Sequence, residues 1–250
     1  MYPKASLLSI ASPGVPDVPL EALAIRAFFQ GSRWVWAGLS RGLMVREPIL
    51  LPLSTAYSGE KTPPRQSLRS LARLLLDWHE NDPERFDEFV HLGQRLELWR
   101  HVEFNRYLRT TAPMEVHDAD GFISITFDGV NIGYLPDGTL RVIAMLLALL
   151  ATAPGSMLLL EEPEMGIHPG LLYRLLSIFD SYALDRQLIV STHSHQVVNW
   201  ASPEEIRLVE RHEEITHVSP LSEAQVQRLK PYLEETGTLG DFVYSGGADA

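Results

Sequence analysis

The sequence contains no cysteine among its 250 residues, and its only lysines are Lys4, Lys61 and Lys230. Without cysteine the chain can form neither a disulfide framework nor a thiolate metal site, and cysteine usage gives no information about redox compartment. The formal net charge of −11 argues against a chain that coats nucleic acid with its whole surface. Any contact with DNA is therefore expected to be local.

Long apolar runs are also missing. The longest apolar stretch, residues 142–151, is about half of the roughly 20 residues that a membrane-spanning helix needs. Met1 is not followed by a basic start and an apolar signal segment. We therefore expect no membrane partner and a cytoplasmic location. The hydrophobic content of 45% is enough for one substantial core, or for one core with a small appendage.

Composition divides the chain into three parts, with boundaries near residues 60 and 110. Residues 1–60 contain a proline-rich opening, a short helix predicted over 20–29 and an aromatic stretch, SRWVWAG, that could form a strand. Residues 61–110 are highly charged, and from Pro64 to about Arg109 we expect helices that form an insertion, with a break at Asp82-Pro83. The apolar residues at helical spacing are Leu68, Leu71, Leu74, Leu75 and Trp78.

Residues 111–250 alternate strand-like runs with helical segments, which indicates an α/β domain. Two of the runs, MLLL and LIVS, are apolar at successive positions, as expected of strands covered on both faces in a parallel sheet. A helix predicted over 170–184 has the length of a crossover between them. The predicted strands are FISITF at 122–127, SMLLL at 156–160, QLIVS at 187–191 and IRLVE at 206–210.

Carboxylates and a histidine follow two of these strands. Glu161, Glu162 and Glu164 come after the first, and Ser191, Thr192 and His193 end the next. Because parallel strands end at the same edge of a sheet, we expect one site there. One carboxylate could hold Mg²⁺ while its neighbour orients and deprotonates water, and the imidazole could contact a terminal phosphate.

These motifs carry a family resemblance. LLLEEPEMGIHP at 158–169 resembles the Walker B and D-loop region of ABC-type ATPases, in the form typical of RecF/SMC-like predicted AAA ATPases. STHS at 191–194 resembles the switch-histidine segment, and TLGDFVYSGG at 238–247 resembles the family's C-terminal segment. The resemblance implies a P-loop NTPase-like parallel sheet flanked by helices. It also implies ATP and Mg²⁺ as cofactors, with Glu161 on the magnesium, Glu162 as general base and His193 as sensor of the γ-phosphate.

LPDGTLR at 135–141 resembles the family's signature segment and opens an apolar helix predicted over 140–151. A glycine-containing turn at a helix N-terminus offers backbone donors and a favourable dipole to phosphate. The resemblance implies that Asp137, Gly138 and Thr139 would bind a nucleotide held by a second subunit in a head-to-tail dimer. The family usually has a serine before Asp-Gly-Thr, whereas this chain has Leu135-Pro136 and lacks that hydroxyl.

A P-loop of the form GxxxxGK[ST] is missing, since none of the three lysines follows a glycine. The nearest segment, SGEKT at 58–62, lacks the spaced glycines, and Pro63-Pro64 removes backbone donors behind it. The resemblance then implies a core incomplete at its N-terminus, with residues 1–60 as its remnant. We expect a head-to-tail homodimer or a partner chain that supplies the P-loop, and a chain that alone hydrolyses no ATP.

Other interpretations remain beside this one. The three glutamates could be a solvated acidic turn, and His193 and His168 could be structural, with His168 shaping the turn into the next helix. A transition-metal site made from Glu161, Glu164, His168, His193 and His195 is conceivable, although spacing such as HExxH is absent. Arg65, Arg69 and Arg73 share a helix face that could touch DNA, but such a stripe is more often solvated.

The sequence therefore predicts an ABC-type ATPase domain that serves DNA repair or phage defence, with DNA or a DNA-processing effector as further partners. The alternative is a non-catalytic ATPase remnant that acts as a dimerisation or partner-binding module.

Overall fold

The computed structural model describes residues 5–10, 49–52, 68–108, 121–183, 186–212, 215–235 and 237–244. They belong to two compact units. The five-stranded unit comprises strand β1 (Ala5–Ile10) and the residues from Ala151 onward, and the four-stranded unit comprises residues 49–150. The helix predicted over 20–29, the strand SRWVWAG and the segment SGEKT lie outside the described residues. The domain boundaries near 60 and 110 remain a prediction.

The four-stranded unit combines an antiparallel sheet with three helices. Its strands lie in the order β2-β4-β3, and the short β5 pairs with β4. The strands are β2 (Leu50–Pro52), β3 (Val102–Leu108), β4 (Gly121–Phe127) and β5 (Val130–Asn131). The helices are α1 (Leu68–Asn81), α2 (Pro83–Arg95) and α3 (Asp137–Ala151).

The helical pattern and its break at Asp82-Pro83 are confirmed. Asp82 caps α2 because its carboxylate accepts a 3.3 Å hydrogen bond from the backbone N–H of Arg85, and Pro83 occupies the first helical turn, where no donor is needed. Along α1 the predicted apolar face is buried at Leu68, Leu71, Leu75 and Trp78. Sequence spacing therefore located α1, and the break at Asp82-Pro83 marked the start of α2.

The expectation of helix as far as Arg109 is wrong for residues 102–108, which form β3. The helical pattern ends near Leu96, and Glu97 then reverses the chain at a φ of 59°. Beyond it, apolar Val102 and Phe104 alternate with polar residues, a period of two that suits a strand. β3 also pairs with β4 over its whole length, a long-range contact that the local charge pattern could not reveal.

The five-stranded unit has the strand order β6-β7-β1-β8-β9. Only β6 and β7 run parallel among its described pairs; the other neighbours are antiparallel. The strands are β6 (Met157–Glu161), β7 (Gln187–Thr192), β8 (Ile206–His212) and β9 (Ile215–Pro220). The helices are α4 (Pro169–Tyr182), α5 (His195–Trp200), α6 (Glu223–Glu235) and α7 (Leu239–Tyr244).

The predicted strand–helix–strand crossover from β6 through α4 to β7 is present. Leu158 and Leu160 of β6 are buried, as are Leu188 and Val190 of β7. Parallel pairing sets Glu161 opposite Ser191, so both strands end at the same edge of the sheet. This register brings the acidic turn after β6 to the histidine after β7, and the mixed α/β architecture is confirmed.

Helix α3 is buried on all sides, as its composition predicted: every residue from Val142 to Leu150 is buried. It belongs to the core of a folded unit. Among the described residues, no helix has the length and apolar character needed to cross a membrane.

Candidate active site at the ends of β6 and β7

The turn after β6 begins with an unusual backbone conformation at Glu162. This residue has a φ of 44°, in the left-handed region that non-glycine residues seldom occupy. Its N–H donates a 2.8 Å hydrogen bond to the carbonyl of Ser191, and its own carbonyl accepts from the N–H of Met165 at 3.0 Å. The turn is therefore fixed to β7 and closed on itself. Strain of this kind is found at functional sites when neighbouring bonds maintain it.

Glu162 and His193 approach each other across this edge. The imidazole Nε2 lies 3.9 Å from Oε1 of Glu162. Their side chains are 37% and 42% exposed, so both remain accessible to a ligand while they face one another. Glu161, the last residue of β6, is exposed at the same strand end, opposite Ser191 of β7. The structure thus brings Glu162 and His193 together and places Glu161 at the same edge of the sheet.

Glu164 occupies a different environment from the other two glutamates. Its Oε1 accepts hydrogen bonds from the hydroxyl of Thr192 at 2.6 Å and from the N–H of His193 at 3.1 Å. Its Oε2 is buried and has no hydrogen-bond partner among the described residues. Glu164 therefore holds β7 to the turn, whereas Glu161 and Glu162 face solvent. The sequence alone presented the three as one acidic group.

Asp137, Gly138 and Thr139 lie in the other unit. They form the first turn of α3, where Asp137 is exposed and the N–H of Leu140 donates to the carbonyl of Pro136 at 3.0 Å. The predicted opening of a helix by Asp-Gly-Thr is confirmed. A role for these residues in nucleotide binding stays a prediction.

Comparison with protein families gives a match over most of this chain. The model of a family described as "AAA domain, putative AbiEii toxin, Type IV TA system" matches residues 13–199. This chain belongs to that AAA-domain family. A search among curated proteins found no match. Membership of the family establishes an AAA-type ATPase, a class that generally binds ATP with Mg²⁺. The matched residues include β6, α4 and β7, and with them both Glu162 and His193.

His168 of this AAA-type domain is structural, as proposed for it. Its Nδ1 accepts a 3.2 Å hydrogen bond from the N–H of Gly170 and caps α4, which Pro169 begins. Across the part of the chain that the structure describes, no three histidine or acidic side chains are arranged to hold a metal ion. A Mg²⁺ ion needs less from the protein, because it commonly takes one or two carboxylates together with phosphate oxygens. The exposed carboxylate of Glu161 fits that role.

The structure adds residues that sequence reasoning did not assign to the site. The hydroxyl of Tyr244, in α7, donates a 3.2 Å hydrogen bond to the carbonyl of Thr192. Asp241 of the same helix pairs with Nδ1 of His195 at 2.9 Å and accepts from the Thr238 hydroxyl at 2.8 Å. The Thr238 hydrogen bond and then the His195 contact lower the pKa of Asp241 below its ordinary value. The resemblance of TLGDFVYSGG to the family's C-terminal segment was the signal that could have drawn attention to this helix.

Proposed function

We propose that this AAA-type domain is the hydrolytic half of an ABC-type, RecF/SMC-like ATPase. The observation that carries the proposal is the approach of Glu162 and His193 to 3.9 Å at the carboxyl ends of two parallel strands. Ligands of open α/β sheets bind outside that edge. Membership of the AAA-domain family supports ATP as the substrate. The site would promote transfer of the terminal phosphoryl group of ATP to water.

In this proposal Glu162 is the general base. It is partly exposed at the strand edge, and its carboxylate can accept a proton from an attacking water. Glu161 supplies a hard oxygen ligand to Mg²⁺. His193 contacts the terminal phosphate, where an imidazole N–H can donate to phosphate oxygen. Asp137, Gly138 and Thr139 serve a nucleotide bound mainly by a second subunit.

In this proposal the P-loop that binds the phosphates comes from outside these 250 residues, because the sequence contains no GxxxxGK[ST] motif. The backbone amides and lysine of such a loop hold the β- and γ-phosphates, and carboxylates cannot replace them. A head-to-tail homodimer or a partner chain would complete the site. DNA repair and phage defence are the proposed settings, with DNA or a DNA-processing effector as a partner. The family description adds a toxin–antitoxin system to these settings.

The test is Glu162→Gln in the assembly that contains a P-loop. We expect ATP binding to stay within twofold and turnover to fall at least about a hundredfold, the lower range of general-base contributions. Glu234→Gln, an exposed change on α6, is the matched control and should leave turnover unchanged. Full hydrolysis by the Glu162→Gln assembly would rule out the proposed role of Glu162.

The second candidate is a non-catalytic module for dimerisation or partner binding, favoured by the missing lysine motif. Phosphate release by the pure 250-residue chain tests whether an outside P-loop is needed. We expect none with ATP and Mg²⁺. Magnesium-dependent release that Glu162→Gln abolishes would show that no outside P-loop is required. An assembly with an intact P-loop that binds ATP and never hydrolyses it would instead favour the non-catalytic module.

A further inference from the structure

The peptide group between Thr192 and His193 is held at both ends by side chains. Its carbonyl oxygen accepts the 3.2 Å hydrogen bond from the Tyr244 hydroxyl, and its N–H donates the 3.1 Å hydrogen bond to Oε1 of Glu164. These two side chains come from α7 and from the turn after β6, far apart in sequence. One peptide plane is therefore fastened from two separate parts of the unit.

These two hydrogen bonds lie at the end of β7, where its regular pairing stops. β7 ends at Thr192, and His193 follows it. Two bonds to opposite ends of one peptide fix its plane, and the plane sets the direction in which the His193 side chain leaves the backbone. We propose that Tyr244 and Glu164 are positioning residues for His193 and hold its imidazole near Glu162. The importance of that position rests on the proposed function, whereas the positioning itself is a separate structural claim.

Glu164 is suited to hold the peptide because its carboxylate is itself fixed. The buried Thr192 hydroxyl donates to the same Oε1 at 2.6 Å, and this hydroxyl also accepts from the N–H of Ser194 at 2.9 Å. A carboxylate acceptor makes stronger hydrogen bonds than a neutral oxygen. Oε2 is buried without a hydrogen-bond partner among the described residues, so the two bonds to Oε1 hold the group in place.

Tyr244 is suited to its task because α7 is fastened to α5. The Tyr244 ring stacks on the His195 ring, with centroids 4.7 Å apart and planes 25° apart. The His195–Asp241 pair and a 2.6 Å hydrogen bond from the N–H of Gly240 to Oδ1 of Asn199 add two further ties. These contacts hold α7 against α5, so the position of the Tyr244 hydroxyl is fixed. Through its hydrogen bond to the Thr192 carbonyl, α7 contacts the peptide group that precedes His193.

The first experiment uses nuclear magnetic resonance on the full chain, with His193 signals assigned through His193→Gln. In Tyr244→Phe, which keeps the ring and removes the hydroxyl, we expect amide exchange at His193 to become about fivefold faster, the size of one net hydrogen bond. Nuclear Overhauser contacts between the His193 ring and the Glu162 side chain should weaken. Tyr173→Phe is the control, since Tyr173 is 68% exposed on α4. Unchanged exchange and contacts in a folded Tyr244→Phe chain would overturn the role of Tyr244.

The second experiment compares two replacements of Glu164. Glu164→Gln keeps an oxygen acceptor, so the His193 amide should stay protected and the ring contacts should persist. Glu164→Leu has similar bulk and no acceptor, so protection should fall at least fivefold. If the His193 amide exchanges at the same rate in Glu164→Gln and Glu164→Leu, the role of Glu164 is overturned. The same conclusion holds if both variants protect this amide as well as the unmodified chain does.

Turnover in the complete assembly separates the inference from the proposed function. We expect Tyr244→Phe to lower kcat about fivefold with KM for ATP unchanged, because the Phe ring still packs and His193 alone is displaced. If His193→Gln leaves kcat intact, the proposed sensor role fails, and the resonance data still decide whether Tyr244 positions the ring. If His193→Gln lowers kcat and Tyr244→Phe does not, the positioning inference is overturned.

Discussion

The hydroxyl of Thr192 donates a 2.6 Å hydrogen bond to Oε1 of Glu164 and joins the end of β7 to the turn that follows β6. Thr192 is 1% exposed, so neither water nor another solvent group can readily replace the hydroxyl. The Thr192 hydroxyl oxygen also accepts a hydrogen bond from the N–H of Ser194, the residue before α5. One buried hydroxyl therefore connects the acidic turn, the strand and the next helix.

Thr192→Val should destabilise the five-stranded unit while preserving the size of the side chain. Glu164 loses one of the two donors to Oε1 and the half-buried N–H of Ser194 loses its acceptor, so we expect a cost of about 1–3 kcal/mol, that of one polar group left unsatisfied. Urea denaturation followed by circular dichroism measures the free energy of unfolding. Thr216→Val on β9 is the control, since that side chain is exposed, and it should stay within about 0.5 kcal/mol. Equal stability of the two variants would contradict the assigned importance of the hydroxyl.

Gly240→Ala should loosen the contact between α7 and α5. A Cβ at Gly240 would lie 2.8 Å from both Cα and the carbonyl oxygen of His195, closer than backbone atoms permit. Overpacking of this kind costs about 1–3 kcal/mol. At Gly170 an added Cβ meets the His168 ring at an ordinary 3.5 Å, so Gly170→Ala is the matched control and should be neutral or slightly stabilising. Thermal unfolding of the two variants checks the contrast, and a Gly240→Ala chain as stable as the control would refute it.

Asp241→Asn should reveal a stability difference that depends on pH. Hydrogen bonds from Thr238 and then His195 lower the pKa of Asp241 in the folded chain below 3.8. A lowered carboxyl pKa stabilises the folded state above the unfolded pKa, and this contribution is lost as pH falls through the folded pKa. The Tm of Asp241→Asn should therefore be lower than that of the unmodified chain at pH 7, and the difference should shrink as pH falls below about 4 towards the lowered pKa of Asp241.

Thr238→Val is the accompanying variant, because it removes the larger cause of the lowered pKa of Asp241. In a chain that carries Thr238→Val, the effect of Asp241→Asn on Tm should therefore depend less on pH. Thermal unfolding between pH 3 and pH 7 provides the measurement. A difference in Tm between Asp241→Asn and the unmodified chain that is constant over this range would show that the carboxyl charge does not matter there.

Continuous apolar runs predicted the strands that carry the candidate site, and periodic apolar residues predicted α1. The runs MLLL and LIVS became the parallel pair β6 and β7, and the spacing of leucines in α1 was correct. The prediction of helix over residues 102–108 is wrong because it extends the charged helical pattern that precedes them, whereas their strand conformation depends on pairing with β4. Local spacing reports which face of an element is apolar, and it carries less information about which distant strand will pair with it.

The sequence by itself determined the α/β alternation, the two strand ends and the choice of Glu161, Glu162 and His193, since apolar runs and the chemistry that follows them are local features. Only the tertiary structure decided that Glu162 and His193 meet at 3.9 Å, that Glu164 differs from its neighbours, and that Tyr244 holds the peptide before His193. The physical reason is that hydrogen bonds between residues 29 and 52 positions apart depend on how the strands and α7 pack, which no local pattern encodes.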